Sequence, residues 1–280
     1  MKVERRSLAA GMRAQCLTAV AVVPARDEET TIAGVVGPLV RDLVEVGVLT
    51  KVVVVDDGST DRTAARAASV GAAVVRAADV LPGHGGSGKG GAMWRGLAAT
   101  TADLVVYVDG DLVDFDPDTV TRLLQPLVAD PSVGLVKGTW QRPLGDDPEG
   151  GGRVTELVAR PLLARFFPEL SFVRQPLAGE YAGTRLLLER LPYLAGWGVD
   201  VGLLLDAARV GGVASIRQVD LGTRRHRNRP LAELGVPAAT VLLTVLDRAG
   251  VAVDGGGLSL DGVDVALTEL PPLAALGVLR

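Results

Sequence analysis

Cysteine is almost missing from this chain. One residue of 280, Cys16, carries a thiol, so no internal disulfide can form and a reducing compartment is the natural setting. Positive charge is not in excess either. Twenty-nine Lys and Arg face 33 Asp and Glu, a net charge of -4, and no global basic field invites nucleic acid. Long apolar runs are absent. The longest late one, Leu234 to Leu246, falls short of the ~20 residues a spanning helix needs. Near the start, Lys2, Arg5 and Arg6 precede an apolar stretch that imitates a secretion signal. Arg13 and Gln15 interrupt it, and its last part reads better as a first buried strand. These absences point to a cytoplasmic protein with no membrane and no nucleic-acid partner. A chain of this length buries about 75% of its unfolded surface and needs no staples.

What is present is glycine, 35 residues of it, with many alanines and valines, as expected of an α/β protein rich in tight turns. The first half alternates. Strands are expected over 17–23, 51–55, 72–76 and 104–108, and helices over 30–46, 60–69 and 91–100. Strand–helix repetition of this kind predicts a mostly parallel sheet with helices on both faces. Ligands bind at the carboxyl ends of such strands. All three polar clusters of this half follow a strand: Pro24-Ala25-Arg26-Asp27-Glu28-Glu29, Asp56-Asp57-Gly58-Ser59 and Asp109-Gly110-Asp111. The second half is less regular. A strand is expected over 133–139 and another over 215–219, with helices over 155–167, 182–194, 199–210 and 234–249. The tail from Gly255 reads as a strand or hairpin. No linker separates independent domains; residues 1–140 read as a nucleotide-sugar half and 141–280 as an acceptor half of one continuous domain.

Asp109 and Asp111 close the apolar run Leu104-Val105-Val106-Tyr107-Val108. On an extended chain they would face one spot, where a hard divalent cation that also binds phosphate relieves their repulsion. Asp56 and Asp57 are candidates for a base or ribose, and Ser59 or Thr60 for a helix cap. Gly83-His84-Gly85-Gly86-Ser87-Gly88-Lys89-Gly90 is nearly a phosphate-binding P-loop, but Gly90 stands where that motif needs Ser or Thr. A mobile glycine loop setting Lys89 against a diphosphate, or a solvated lysine, are the other readings. Gly151-Gly152-Arg153-Val154-Thr155 opens a helix. Its free N–H groups, the forked Arg153 cation and the Thr155 hydroxyl suit an anion. His226, within Arg224-Arg225-His226-Arg227-Asn228-Arg229, is a neutral imidazole candidate for metal in a cationic wall suited to polyphosphate. His84 reads as a bystander. Glu180 and Asp200, each beside small residues, are open to binding sugar hydroxyls or to structural roles.

Assembled, these pieces resemble the GT-A fold glycosyltransferases, and within them the glucosyl-3-phosphoglycerate synthases and their mannosyl relatives. The resemblance runs from about Val22 to Leu231. It is carried by Gly88-Lys89-Gly90, Asp109-Gly110-Asp111-Leu112, Gly151-Gly152-Arg153-Val154-Thr155-Glu156-Leu157 and His226-Arg227-Asn228-Arg229-Pro230-Leu231. It implies a Rossmann-like sheet and glucosyl transfer from UDP-glucose to the 2-hydroxyl of D-3-phosphoglycerate with retention of configuration. It further implies Mg²⁺ or Mn²⁺ as cofactor and a homodimer. Pro24, Ala25 and Glu28 would hold the uridine, with Asp57 nearby, where the family often has serine. Lys89 would touch the diphosphate and Asp109 the ribose or nucleotide end. Asp111 and His226 would ligate the metal. Gly152, Arg153 and Thr155 would clamp the acceptor's phosphate or carboxylate, and Leu177 would offer a backbone contact. Asp200 stands where the family usually has glutamate; with Lys89 it is the catalytic candidate. Mannosyl transfer, a nucleotidyltransferase on the same fold and a noncatalytic nucleotide-sugar sensor are the competing readings.

Overall fold

The computed structural model describes residues 2–142, 151–223, 230–253 and 257–277. Helix α1 (Lys2–Ala14) precedes β1 (Ala19–Ala25), α2 (Ile32–Leu39), β2 (Lys51–Asp56), α3 (Thr63–Ser69), β3 (Ala73–Arg76), α4 (Lys89–Ala98) and β4 (Leu104–Tyr107). Then come α5 (Asp118–Ala129), β5 (Leu135–Gln141), α6 (Arg160–Phe166), β6 (Tyr181–Thr184), α7 (Arg185–Leu188) and β7 (Tyr193–Leu194). The chain continues with α8 (Val199–Gly211), β8 (Ile216–Thr223), α9 (Gly235–Arg248), the hairpin β9 (Gly257–Leu260) with β10 (Val263–Ala266), and β11 (Glu269–Leu270). β11 pairs with β7.

Seven strands form one sheet in the order β3-β2-β1-β4-β6-β5-β8. Every pairing is parallel except the two made by β6, which runs antiparallel between β4 and β5. The expected parallel α/β sheet covered on both faces is therefore present. Alternation along the strands feeds two cores. Val20, Val22, Val53, Val55, Val105 and Tyr107 pack on the side of α4, α6, α8 and α9. Ala21, Val23, Val52, Val54, Val106 and Val108 pack on the side of α1, α2, α3 and α5. A strand buried on both faces has no polar position to spare, which is why β2 is a continuous valine run.

Three elements differ from the sequence reading. Residues 2–14, to which the sequence reading assigned no element, form a helix whose Leu8, Ala9 and Met12 enter the second core. Its Arg5 is buried against Asp118 of α5, Nε to Oδ1 2.5 Å. The segment expected as a helix over 182–194 starts as strand β6 and turns helical only for Arg185–Leu188. Gly183 lets Leu188 fold back on the strand, since a Cβ there would meet the Leu188 side chain at about 3 Å. Helix α5 has no counterpart in the sequence reading; its Val120, Leu123, Leu124 and Leu127 are buried beneath β4, β5 and β6.

Among the described residues no helix is long and apolar enough to cross a membrane.

Candidate active site

β2, β1 and β4 lie side by side and parallel, so the segments leaving their carboxyl ends meet at one rim. Backbone and side chain knit them together. The Asp57 N–H donates to Ala25 O at 2.9 Å, the Asp27 N–H to Ser59 Oγ at 3.0 Å, and the Glu28 N–H to Thr63 Oγ1 at 2.7 Å. Thr31 Oγ1 donates across to Gly110 O at 2.8 Å. Asp27 sits at φ +55, a left-handed conformation that asparagine and aspartate tolerate best among side-chain-bearing residues, and its carboxylate accepts from the Thr60 N–H at 2.7 Å. The three polar clusters are one platform.

Lys89 is the centre of that platform. It is the first residue of α4, at a helix start, and its side chain is largely buried, not a solvated surface lysine. Its Nζ lies 2.9 Å from Asp109 Oδ1 and 3.0 Å from Asp200 Oδ2. Burial opposes the charge, but the two carboxylates outweigh it and hold the ammonium's pKa well above its usual value. Burial likewise pushes the Asp200 carboxyl up, with Lys89 and Lys137 pulling it back. Asp200 is 5% exposed, and its Oδ1 is buried with no hydrogen-bond partner among the described residues. A buried, unused carboxylate oxygen is costly unless something else fills the place.

Two glycines make the arrangement possible. At Gly90 an added Cβ would overlap the Leu194 carbonyl oxygen. The Ser or Thr of a P-loop has no room there, and the P-loop reading ends on that contact. Gly90→Ser, which would complete the motif, is expected to lower stability by about 3 kcal/mol or more, because the obstacle is backbone. A melting curve on the purified variant checks this; an unchanged Tm would contradict the packing. The second glycine, Gly179, presses its backbone against the Asp109 carboxylate and Lys89 Nζ. Leu177, two residues earlier, is half-buried against the core below α4.

Asp57, expected near the uridine, turns one carboxylate oxygen to the glycine loop. Its Oδ2 accepts from the Gly88 N–H at 2.6 Å. Gly88 takes φ +88, so Asp57 pins the turn that aims Lys89. The acidic pair differs from the expectation. β4 ends at Tyr107, and Gly110 and Asp111 form a turn, so the two carboxylates are not carried on one extended strand. Asp109 points into the Lys89 cluster while Asp111 is exposed. Both remain within electrostatic reach of Glu28. Burial raises the Glu28 pKa first, Asp111 adds to it, and Asp109 adds less, against a stabilising hydrogen bond from Thr31.

Among the described residues no three His, Cys, Asp or Glu side chains converge as a metal cage. The chain offers hard carboxylate oxygens whose repulsion a divalent cation would relieve. Such a donor set suits Mg²⁺ or Mn²⁺ completed by substrate phosphates. His226, the other expected ligand, lies outside the described residues, as do the arginines around it.

Farther along the rim, helical structure begins at Arg153, after Gly152 at φ +77. Thr155 is buried at the first turn. Beside it lies a cavity of about 310 Å³ whose lining includes Trp140, Arg142, Gly151, Arg160 and Arg174. Gly151 closes on Arg142, donating its N–H to the Arg142 carbonyl at 2.9 Å. Glu180 is fully buried and accepts from Trp140 Nε1 at 2.9 Å, which gives it a structural partner. His84 packs on Trp94, ring centroids 5.4 Å apart, away from the acidic pair. Another cavity, about 570 Å³, lies at the opposite rim. There Arg185 is consumed by Leu97, Ala102 and Glu189, and Asp103 by Thr18.

Comparison with known proteins gives the family. Residues 20–190 match the model of glycosyl transferase family 2. A glucosyl-3-phosphoglycerate synthase of Mycolicibacterium smegmatis is 47% identical over 273 residues, covering 91% of this chain and 88% of that protein. The chain belongs to glycosyl transferase family 2, and within it to the glucosyl-3-phosphoglycerate synthase family. Solved members superpose closely on it. The Mycobacterium tuberculosis synthase with Mn²⁺, UDP-glucose and phosphoglyceric acid gives a TM-score of 0.86 at 43% identity, covering 96% of this chain and 94% of that one. The same synthase with Mn²⁺, UDP and glucosyl-3-phosphoglycerate gives 0.85 at 42% identity, covering 97% and 95%. The GT-A architecture is therefore this chain's own.

Proposed function

We propose that the protein is a glucosyl-3-phosphoglycerate synthase, moving glucose from UDP-glucose to the 2-hydroxyl of D-3-phosphoglycerate and releasing UDP. The observation that carries this reading is the Lys89–Asp109–Asp200 cluster at the sheet rim, with Asp200 Oδ1 buried and without a hydrogen-bond partner among the described residues. Nucleotide-sugar transfer needs a fixed cation for the departing diphosphate and an acceptor oxygen for a sugar hydroxyl, and the cluster has both.

Pro24, Ala25 and Glu28 hold the nucleobase end, on the segment knitted to β2 and β4. Asp57 acts one step back, through the Gly88 turn. Asp109 meets the ribose. Lys89, kept charged by its two carboxylates, stabilises the negative charge that grows on UDP. Asp200 Oδ1 accepts from a hydroxyl of the donor sugar or the acceptor. Leu177 lends a backbone contact. A bound Mg²⁺ or Mn²⁺, held by Asp111 and His226, would supply Lewis-acid neutralisation of the diphosphate. Gly152, Arg153 and Thr155 grip the acceptor's phosphate or carboxylate. Asp200 Oδ2 is tied to Lys89, which does not suit it to covalent attack. Retention then follows a front-face course in which the acceptor's proton passes to a donor phosphate oxygen.

The test is UDP release. With Mn²⁺, the purified protein should release UDP from UDP-glucose only when 3-phosphoglycerate is present. Equal turnover of GDP-mannose, or pyrophosphate release from a nucleoside triphosphate, would overturn the reading, as would donor binding without turnover. Arg153→Ala should raise the acceptor KM by roughly 10-fold or more, as loss of a charge-assisted contact implies. The donor KM should change by less than about twofold. We also place the protein in the cytoplasm as a homodimer. Light scattering at twice the chain mass checks the second point, and cell fractionation the first.

A further inference from the structure

Lys137 has no place in the roles above, yet it lies directly behind them. It is the third residue of β5, an interior strand, opposite Tyr181 on β6 and Gln218 on β8. It is 1% exposed. A lysine so buried is rare and needs partners. Its Nζ donates to Ala178 O at 2.8 Å and to Asp200 O at 3.4 Å. The ammonium also sits 4.2 Å from the centroid of the Tyr181 ring.

Those contacts join two parts of the site. Ala178 precedes Gly179, whose backbone is packed on the Asp109 carboxylate and Lys89 Nζ. Asp200 is the second residue of α8, and its side chain takes the other bond of Lys89. One buried cation thus ties the strip behind Asp109 to the helix turn that presents Asp200. We propose that Lys137 is a positioning residue for glucosyl transfer: it sets the Ala178–Gly179 backbone and the first turn of α8 in register, and its charge supports an ionised Asp200. The inference rests on the reading of Asp200 as a hydroxyl acceptor.

The electrostatics agree with the geometry. Burial draws the Lys137 pKa down to about 8, against the pull of Asp200, Glu180 and Asp109 and with the push of Lys89. The charged and titratable groups facing Asp200 are Lys89 from α4, Lys137 from β5, Tyr181 from β6 and Asp109 beyond β4. Removing Lys137's charge leaves Lys89 alone against the buried Asp200 carboxylate and the partly buried Asp109. Asp200 then takes up a proton at higher pH than before.

Lys137→Met removes both the donor and the charge, and Lys137→Gln removes the charge but keeps a donor. Four readouts are needed: Tm, the Kd for UDP with Mn²⁺, kcat, and the acid limb of the kcat–pH profile. The Met variant should lose roughly 30-fold in kcat, the scale of a sub-ångström misplacement. Its Kd for UDP should stay within about threefold of the parent, and the acid limb should move up by about one pH unit. The Gln variant should show the same shift of the limb with a smaller loss of kcat. A kcat within about threefold of the parent in both variants would overturn the proposal. So would a fall in kcat with an unmoved acid limb, or failure of both variants to fold, since either assigns Lys137 to the fold alone. Asp200→Asn is run beside them. A parental kcat there would remove the role of Asp200 itself, whereas a loss there with unaffected Lys137 variants would remove Lys137 only.

Discussion

Asp111→Ala is expected to lower kcat for glucosyl transfer by roughly 1,000-fold, about 4 kcal/mol of transition-state stabilisation. The residue is exposed on the turn after β4 and lies outside the sheet. Its loss should therefore leave the melting temperature close to the parent. The charge around it is what changes. Burial raises the Glu28 carboxyl above its usual range, and the charges of Asp111 and, less, Asp109 push it the same way. In the ligand-free protein, removing Asp111 lessens that repulsion, so a small gain in Tm is consistent with the assignment. The loss should appear only when metal and donor must bind together. Titration of Mn²⁺ in the presence of UDP should show weakened binding in parallel with the loss of turnover. Full activity with undiminished Mn²⁺ dependence would show that the cation is held by other groups.

Much of the platform was legible in the sequence because β-branched runs and polar strand ends obey local rules. Lys51–Asp56 reads as a doubly buried strand from four consecutive valines, and the strand stops where Asp56 reaches the rim. Glycine spacing marked Gly88 and Lys89, although it did not reveal that Lys89 is locked between two carboxylates. What stayed hidden depends on partners distant in the chain. β6 is four residues long and runs into Arg185-Leu186-Leu187-Leu188-Glu189, so helical propensity masks it. Only its two antiparallel neighbours make it a strand. Helix α5 contains Pro126 and β-branched residues, and tertiary burial rather than propensity holds it. The tie of Asp57 to the Gly88 N–H, 31 residues away, was also hidden, because the sequence cannot tell which way a rim carboxylate turns. Lys137 gave no signal at all. A lone lysine in Leu135-Val136-Lys137-Gly138 is as consistent with an exposed edge as with a buried cation.

Gly179→Ala is the sharper separation of fold from function. The residue is buried next to Glu180, and a methyl group there would stand 2.6 Å from Asp109 Oδ1 and 2.6 Å from Lys89 Nζ. These obstacles are the ends of side chains, unlike the backbone carbonyl that blocks Gly90. Side-chain ends can move. The protein is thus expected to fold with only a modest fall in Tm, while the Lys89–Asp109 pair is driven apart or displaced. Displacement by about 1 Å in a preorganised site costs on the order of 100-fold in rate. The variant should accordingly lose roughly 100-fold in kcat/KM for UDP-glucose, with the acceptor KM little changed because the Arg153 region is not touched. Lys89→Met should be no more active than Gly179→Ala if the glycine acts through that lysine. The double variant should then lose less than the sum of the two in free energy, since residues acting on one network do not add. Parental kinetics in Gly179→Ala would mean that Lys89 and Asp109 can serve from another arrangement, and that their contact in the free protein is not the one used in turnover. Full additivity in the double variant would mean that the glycine acts through something other than Lys89.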